Sequence, residues 1–221
     1  PPRSAGGDDG GVRAWRIAGQ GCAVAGWILW VAVQVVARDP FPPEISVSQY
    51  GLGGAGWLFS VWAVVLASSP LLLLRSRPVP GPAGAFLAVG WSGSAVMAVV
   101  RTDEGLQQMS WHAQVHMAGA VLALVFLPLG IAAAMTWARR PWRRLSLLLP
   151  AAAAIAGVAL LLAAVGLDSA GFGPARSWAF WQGTLVVIEM LLVGLYALVV
   201  DTIDPRSVRA DRGAPVQSAI Q

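Results

Sequence analysis

Apolar residues fill six long stretches of the chain, and short polar or charged stretches separate them. The apolar stretches cover roughly residues 15–37, 54–75, 83–100, 112–137, 146–167 and 178–200. A helix needs about 20 residues to cross the hydrocarbon core of a bilayer. An open strand in lipid would leave its backbone groups without partners. The pattern therefore predicts an all-α bundle of six transmembrane helices joined by short loops.

The two ends of the chain break this pattern. Residues 1–14 and 201–221 are polar, which predicts disordered tails on either side of a membrane domain at 15–200. The first apolar stretch is long, and no clear small-residue cleavage site follows it. We therefore expect a membrane span there rather than a removable signal peptide. Within the fourth span, Pro128 is expected to introduce a kink.

The composition supports a polytopic membrane protein. The chain is 57% hydrophobic and 12% charged, and soluble domains carry about twice that share of charged residues. Its one cysteine, Cys22, can form neither an internal disulfide nor a multi-cysteine metal cluster. All 15 basic residues are arginine, which is typical of proteins from GC-rich bacterial genomes.

The arginines are distributed unevenly between alternate connections. Twelve lie in the tails and in the second and fourth connections: Arg3, Arg13, Arg16, Arg75, Arg77, Arg139, Arg140, Arg143, Arg144, Arg206, Arg209 and Arg212. The other connections contain Arg38, Arg101 and Arg176. The positive-inside rule then predicts that both termini lie in the cytoplasm. Together with the arginine-only composition, we expect a multi-pass protein of a bacterial plasma membrane. The net charge of +4 does not indicate nucleic-acid binding, because the placement of arginines explains it.

Two histidines stand where the third connection enters the fourth span. His112 and His116 are four residues apart, so a helix places them on one face. A divalent metal is one interpretation, but zinc would need a further ligand such as Asp103, Glu104 or Glu44. Acid–base chemistry and helix capping are the alternatives. Two histidines one turn apart cannot ligate opposite faces of a haem, and no cofactor is predicted.

A carboxylate lies deep in the sixth span. Glu189 should face the bundle interior, where an ionisable residue is a candidate for function. Gln182 lies on roughly the same stripe of the helix, and Trp181 beside it is a candidate for lining a substrate cavity. The first connection, containing Ser48 and Tyr50, is expected to fold over the mouth of the bundle and approach Asp103 and His116.

The segment GWSG, residues 90–93, resembles the G-x-S-G around the serine of rhomboid proteases. Small residues at this spacing are also what close packing of helices in a membrane requires. Neither histidine stands in a rhomboid-like context, so packing is the interpretation that we adopt for this segment.

Residues 42–63 and 100–131 carry a resemblance to DUF998, a family of bacterial membrane proteins, and most closely to its actinobacterial members. The matching positions are Ser48-Gln49-Tyr50-Gly51, Arg101-Thr102-Asp103 and His116. In the last span the family often has arginine after a glutamine or glutamate, whereas Gly183 follows Gln182 here. The resemblance covers roughly residues 15–200. It implies six helices and groups Tyr50, Asp103 and His116, but it implies no defined activity.

Three functional hypotheses follow. The first is a membrane enzyme that acts on a lipid or isoprenoid substrate through Asp103, His112 and His116, or through Glu189 in a tryptophan-lined cavity. The second is a non-enzymatic module that binds lipid or a protein partner, or that forms a homo-oligomer. The third is a small proton-coupled transporter using Glu189, although no internal repeat supports it.

Overall fold

The computed structural model describes residues 9–39, 41–54, 56–104 and 110–203, and within them it is helical with no strand. The helices are α1 (Asp9–Ala37), α2 (Gly56–Ser76), α3 (Ala83–Val99), α4 (Trp111–Met135), α5 (Arg140–Ala164) and α6 (Pro174–Val199). Two 3-10 turns cover Val47–Gly51 and Val200–Thr202. This confirms the predicted all-α class with six helices.

Five of these helices are long and apolar enough to cross a membrane. The remaining helix, α3, is apolar but has only 17 residues, which corresponds to a length of about 26 Å. Exposed apolar side chains cover the outward faces of α1 and α5, including Ile28, Val35, Ile155 and Leu161. These faces suit contact with lipid chains, and the chain is a multi-pass membrane protein.

The helix ends differ from the apolar stretches that predicted them. α1 begins at Asp9, so residues 9–14, assigned to the tail, are helical. α5 begins at Arg140 with proline in its first turn, a position where the missing amide hydrogen costs nothing. α4 continues through Pro128 to Met135. The remaining tail residues, 1–8 and 204–221, lie outside the described residues.

Close approach of backbones holds the first four helices as two pairs, α1 on α2 and α3 on α4. At the α3–α4 crossing, Gly93 meets Gly119: a Cβ atom on Gly93 would lie 2.5 Å from the carbonyl oxygen of Gly119. Only glycine permits this separation, as is usual for helix pairs in membranes. The close crossing brings the end of α3 next to the beginning of α4.

The connections α1–α2, α3–α4 and α5–α6 meet at one end of the bundle, which we call the acidic end. There the Arg176 guanidinium pairs with the Glu44 carboxylate at 2.7 Å, and the Ser48 amide donates to the Gln182 side chain at 3.4 Å. At the opposite end, Arg16 pairs with Asp201 at 2.8 Å. The first connection therefore folds against α6 and closes over the acidic end.

Candidate functional site

The start of α4 is fixed by hydrogen bonds. Ser110 caps the helix, because its hydroxyl oxygen accepts the Ala113 amide at 3.1 Å. The Asp103 carboxylate in turn accepts the Ser110 hydroxyl at 2.6 Å and the Ser110 amide at 2.9 Å. His112, 44% exposed, lies with its Nε2 atom 3.2 Å from Asp103 Oδ1. Asp103 and His112 therefore hold the helix start, and the predicted proximity of these two residues is present.

His116 is oriented differently from His112. It is 2% exposed, and its Nδ1 atom lies 2.6 Å from the carbonyl oxygen of Val100, which is the C-cap residue of α3. A carbonyl only accepts, so Nδ1 must carry the hydrogen. In the neutral ring Nε2 then presents a lone pair. Among the described residues, this buried Nε2 has no hydrogen-bond partner.

The two histidines contact different groups in the structure. The Nε2 atom of His112 lies against Asp103, whereas the Nδ1 atom of His116 is used by Val100. Glu44 is paired with Arg176. Within the described part of the chain, no group of three or more His, Cys, Asp or Glu side chains could hold a metal ion.

Two cavities meet at His116. The smaller, about 80 Å³, lies toward α5 and α6 and includes Gln182, Trp178 and Val121 in its lining; we call it the α5-side cavity. The larger, about 340 Å³, lies toward α2 and α3 and includes Arg101, Trp57 and Met97; we call it the α2-side cavity. Three side chains line both cavities: Ser48, Thr102 and His116.

Each cavity combines polar side chains, His116 among them, with apolar walls. In the α5-side cavity, the walls include Val121, Leu124 and Leu160, of which Val121 is well exposed on the outside of the bundle. In the α2-side cavity, Trp57 and Arg101 are exposed. Such a lining suits a ligand with a polar head and an apolar chain.

The Val47–Gly51 turn separates its side chains between different cavities. Ser48 faces His116, as the sequence predicted. Tyr50 lines neither cavity at His116. Its hydroxyl donates a hydrogen bond to Asp39 at 3.0 Å. Burial, and then the negative charge of Asp39, raise the pKa of Tyr50. The expected approach of Tyr50 to Asp103 and His116 is therefore not seen in these cavities.

Two predicted residues on α6 are not part of the cavities at His116. Glu189 is 8% exposed in the bundle interior, and its Oε1 atom has no partner within the described residues. Trp181 packs against the α5–α6 contact beside Leu185. Neither residue lines either cavity at His116, whereas Gln182 lines the α5-side cavity.

Sequence reasoning missed several residues that line this site. Ser46 and Trp178 line the α5-side cavity, Arg101 lines the α2-side cavity and Thr102 lines both. Arg101 and Thr102 were visible in the sequence as part of a motif before the fourth span. Trp178 and Ser46 are far apart in sequence, and they line the same cavity because the first connection folds against α6.

Comparison with known proteins identifies a family. A model of the family described as "Protein of unknown function (DUF998)" matches residues 22–199, which is 178 of the 221 residues. The matched region begins within α1 and ends with α6. No curated protein and no solved structure matches the chain.

Proposed function

This chain belongs to the DUF998 family, whose description assigns no activity, and we propose that it is a membrane-embedded enzyme acting on an amphipathic lipid through His116. The observation that carries the proposal is the position of His116 Nε2. This atom is buried, has no partner among the described residues, and belongs to a side chain that lines two cavities. A buried ring nitrogen without a partner invites a ligand hydroxyl or a water molecule.

The chemistry proposed for His116 is general base catalysis. The Val100 carbonyl fixes the hydrogen on Nδ1, which leaves Nε2 of the neutral ring to accept a proton. Nε2 would take the proton of a water or alcohol as its oxygen attacks an ester or phosphoester of the lipid. The protonated ring would then return that proton to the departing oxygen. Arg101, in the α2-side cavity, supplies positive charge for a developing oxyanion.

The cavities support a lipid or isoprenoid-type substrate. Polar atoms of Ser48, Thr102 and Gln182 are available to a headgroup near His116. The apolar walls of the α5-side cavity continue from α4 to α5, where Val121 and Leu160 can contact a chain. A chain could therefore enter from the bilayer between these helices while the headgroup stays at the acidic end.

Asp103 and His112 act on this site through α4. Both hold the start of the helix on which His116 lies one turn later. We therefore assign them positioning roles rather than contact with the substrate. Glu189 would be an alternative acid. A Glu189→Gln variant distinguishes Glu189 from His116 as the reacting group. If Glu189→Gln loses turnover and the His116 variant retains it, the reacting group is Glu189 on α6.

The test compares His116→Asn with His112→Asn. An asparagine amide can reach the position of Nδ1 and still donate to the Val100 carbonyl, but it has no group at the position of Nε2. The purified proteins would be examined by native mass spectrometry for co-purifying lipid, and turnover of that lipid followed with an isotopically labelled form. We expect His116→Asn to retain the lipid and to lose turnover by about 100-fold or more. Equal turnover in wild type and His116→Asn would overturn the assignment.

A second candidate is a lipid-binding module without chemistry. One observation favours it: among the described residues, no serine or threonine hydroxyl lies within hydrogen-bond reach of His116 Nε2, so no preformed nucleophile–base pair exists. This candidate predicts bound lipid in all variants and turnover in none. Native mass spectrometry would also report a bound protein partner or a homo-oligomer. The two cavities at His116 give no support to the transporter hypothesis, because Glu189 lines neither of them.

We also propose that the chain lies in a bacterial plasma membrane with both termini in the cytoplasm. The arginine-rich end of the bundle, with Arg16 and Arg75, would face the cytoplasm, and the acidic end would face outward. In a Cys22→Ala background, a membrane-impermeant maleimide applied to intact cells should label Glu104→Cys but not Arg77→Cys. The reverse labelling would invert the proposed orientation.

A further inference from the structure

A third cavity lies on the other side of the Val47–Gly51 turn from His116. It is a cleft of about 440 Å³ between α1, the first connection and α6. Aromatic rings form much of its wall, namely Trp30, Phe41 and Phe180. Its polar lining includes Gln34, Asp39 and Tyr50. We call it the aromatic cleft, and neither the family nor the proposed reaction at His116 accounts for it.

Asp39 brings an unneutralised carboxylate to the aromatic cleft. Its Oδ2 atom accepts the Tyr50 hydroxyl at 3.0 Å, and its Oδ1 atom accepts the Glu44 amide at 2.9 Å. Both donors are neutral. In the described part of the chain, no arginine or histidine nitrogen lies within 4.0 Å of Asp39, and Arg176 pairs with Glu44. Each carboxylate oxygen can accept a further bond, so the cleft presents negative charge to a ligand.

Aromatic rings line the same cleft as this carboxylate. Trp30 is buried and packs against Tyr50, with ring centroids 6.3 Å apart. Phe41 and Phe180 meet edge to face, with centroids 6.2 Å apart. Phe41 is 77% exposed although it is a large apolar ring. The faces of aromatic rings carry negative electrostatic potential, so they attract cations in addition to excluding water.

We propose that the aromatic cleft binds an organic cation, an amine or a quaternary ammonium group. Its charge would be balanced by Asp39, and its methyl or methylene groups would lie against Trp30, Phe41 and Phe180. An anion would be repelled by Asp39. A metal ion would need more ligands than this carboxylate, and the described residues provide no group of three. The cation could be a free amine or the headgroup of a lipid, since both share this chemistry.

The proposal stands independently of the reaction at His116, because the aromatic cleft shares none of the three side chains common to the other cavities. Two cationic probes distinguish the sources of the ligand. Tetramethylammonium represents the free cation, and dodecyltrimethylammonium represents a lipid-like amphiphile. Dodecyl sulfate, with the same chain and opposite charge, is the control ligand. Binding would be measured on the full chain in a maltoside detergent, by equilibrium dialysis for tetramethylammonium and by shift of the thermal midpoint for the amphiphiles.

The variants are Asp39→Asn and Phe41→Leu, with Glu104→Gln as the matched control. Asparagine keeps an oxygen for the Tyr50 hydroxyl and removes the charge. Phe41 is exposed, so its replacement leaves the core intact. We expect Asp39→Asn to weaken binding of the cation by about tenfold or more and Phe41→Leu to weaken it by about threefold. Glu104→Gln, which removes a carboxylate outside the cleft at the same end, should leave it unchanged.

Binding of tetramethylammonium would identify a site for a free organic cation, and binding of dodecyltrimethylammonium alone would identify a site for a lipid headgroup. The proposal is overturned if neither cation binds to the wild-type chain. It is also overturned if Asp39→Asn binds the cation as tightly as Glu104→Gln does, or if dodecyl sulfate binds as well as dodecyltrimethylammonium.

Discussion

Replacing Gly93 by alanine should force α3 and α4 apart at their closest crossing. The new Cβ atom would lie 2.5 Å from the Gly119 carbonyl oxygen and 2.7 Å from the Ala123 amide nitrogen. Both are backbone atoms, so no side chain can rotate away to make room. An ordinary contact begins at 3.4 Å, and the helices must therefore separate by about 0.9 Å.

The consequence reaches both stability and the site. Overpacking of this size costs about 1–3 kcal/mol, which for a chain of this length lowers the thermal midpoint by about 2–12 °C. If the whole separation is transmitted to the ends of the helices, the bond between His116 Nδ1 and the Val100 carbonyl lengthens from 2.6 Å to about 3.5 Å, beyond the usual range. His116 would then lose the contact that sets its tautomer.

The assay is thermal unfolding of the purified protein in mild detergent, followed by tryptophan fluorescence. Gly157→Ala is the matched control, because nothing lies within 4 Å of a Cβ atom at that position on α5. Alanine there should leave the midpoint unchanged or raise it, since alanine favours helix over glycine by about 0.5–1 kcal/mol. If Gly93→Ala unfolds at the same temperature as Gly157→Ala, the contact at Gly93 does not limit the approach of α3 and α4.

Two further predictions concern the acidic end. In a Tyr196→Phe background only Tyr50 titrates, and its phenolate absorbance should develop above the ordinary tyrosine range, because burial and Asp39 raise its pKa. The folded state then holds the proton longer than the unfolded chain. This stabilisation is complete below the ordinary pKa and is lost as pH rises through the folded pKa, and Asp39→Asn should shift the titration downward. Removal of the α4 cap by Ser110→Ala should cost about 1 kcal/mol and lower the midpoint by about 2–4 °C; an unchanged midpoint would contradict the cap.

The sequence predicted the helices because hydrophobic length is a local property. It predicted their ends less well, because these depend on turns that extend into water. α1 gains its first turns from a polar segment beginning at Asp9, an acidic residue at the positive end of the helix dipole. α5 begins beside Pro141 and Arg143, in a segment that hydropathy alone assigned to a loop.

The candidate site was predicted in part, and the failures have a common cause. The spacing of His112 and His116 places them on one helix face. It does not show that buried His116 donates to the Val100 carbonyl, or that half-exposed His112 contacts Asp103. Ser48 and Tyr50 were expected at the same site because both lie on the first connection, which was expected to fold over the mouth of the bundle. Which cavity each one meets depends on contacts with α1 and α6, which sequence spacing does not contain.

The Val47–Gly51 turn has a thermodynamic consequence. Val47 and Tyr50 line the aromatic cleft, while Ser48 lines both cavities at His116, so one short segment forms a wall of all three. The Ser48 amide is also tied to Gln182 on α6. Any ligand that displaces this turn from one side changes the shape offered on the other. If the ligands on the two sides influence each other's affinity through this turn, they do so by the same factor in both directions, which would make the turn an element of allosteric coupling.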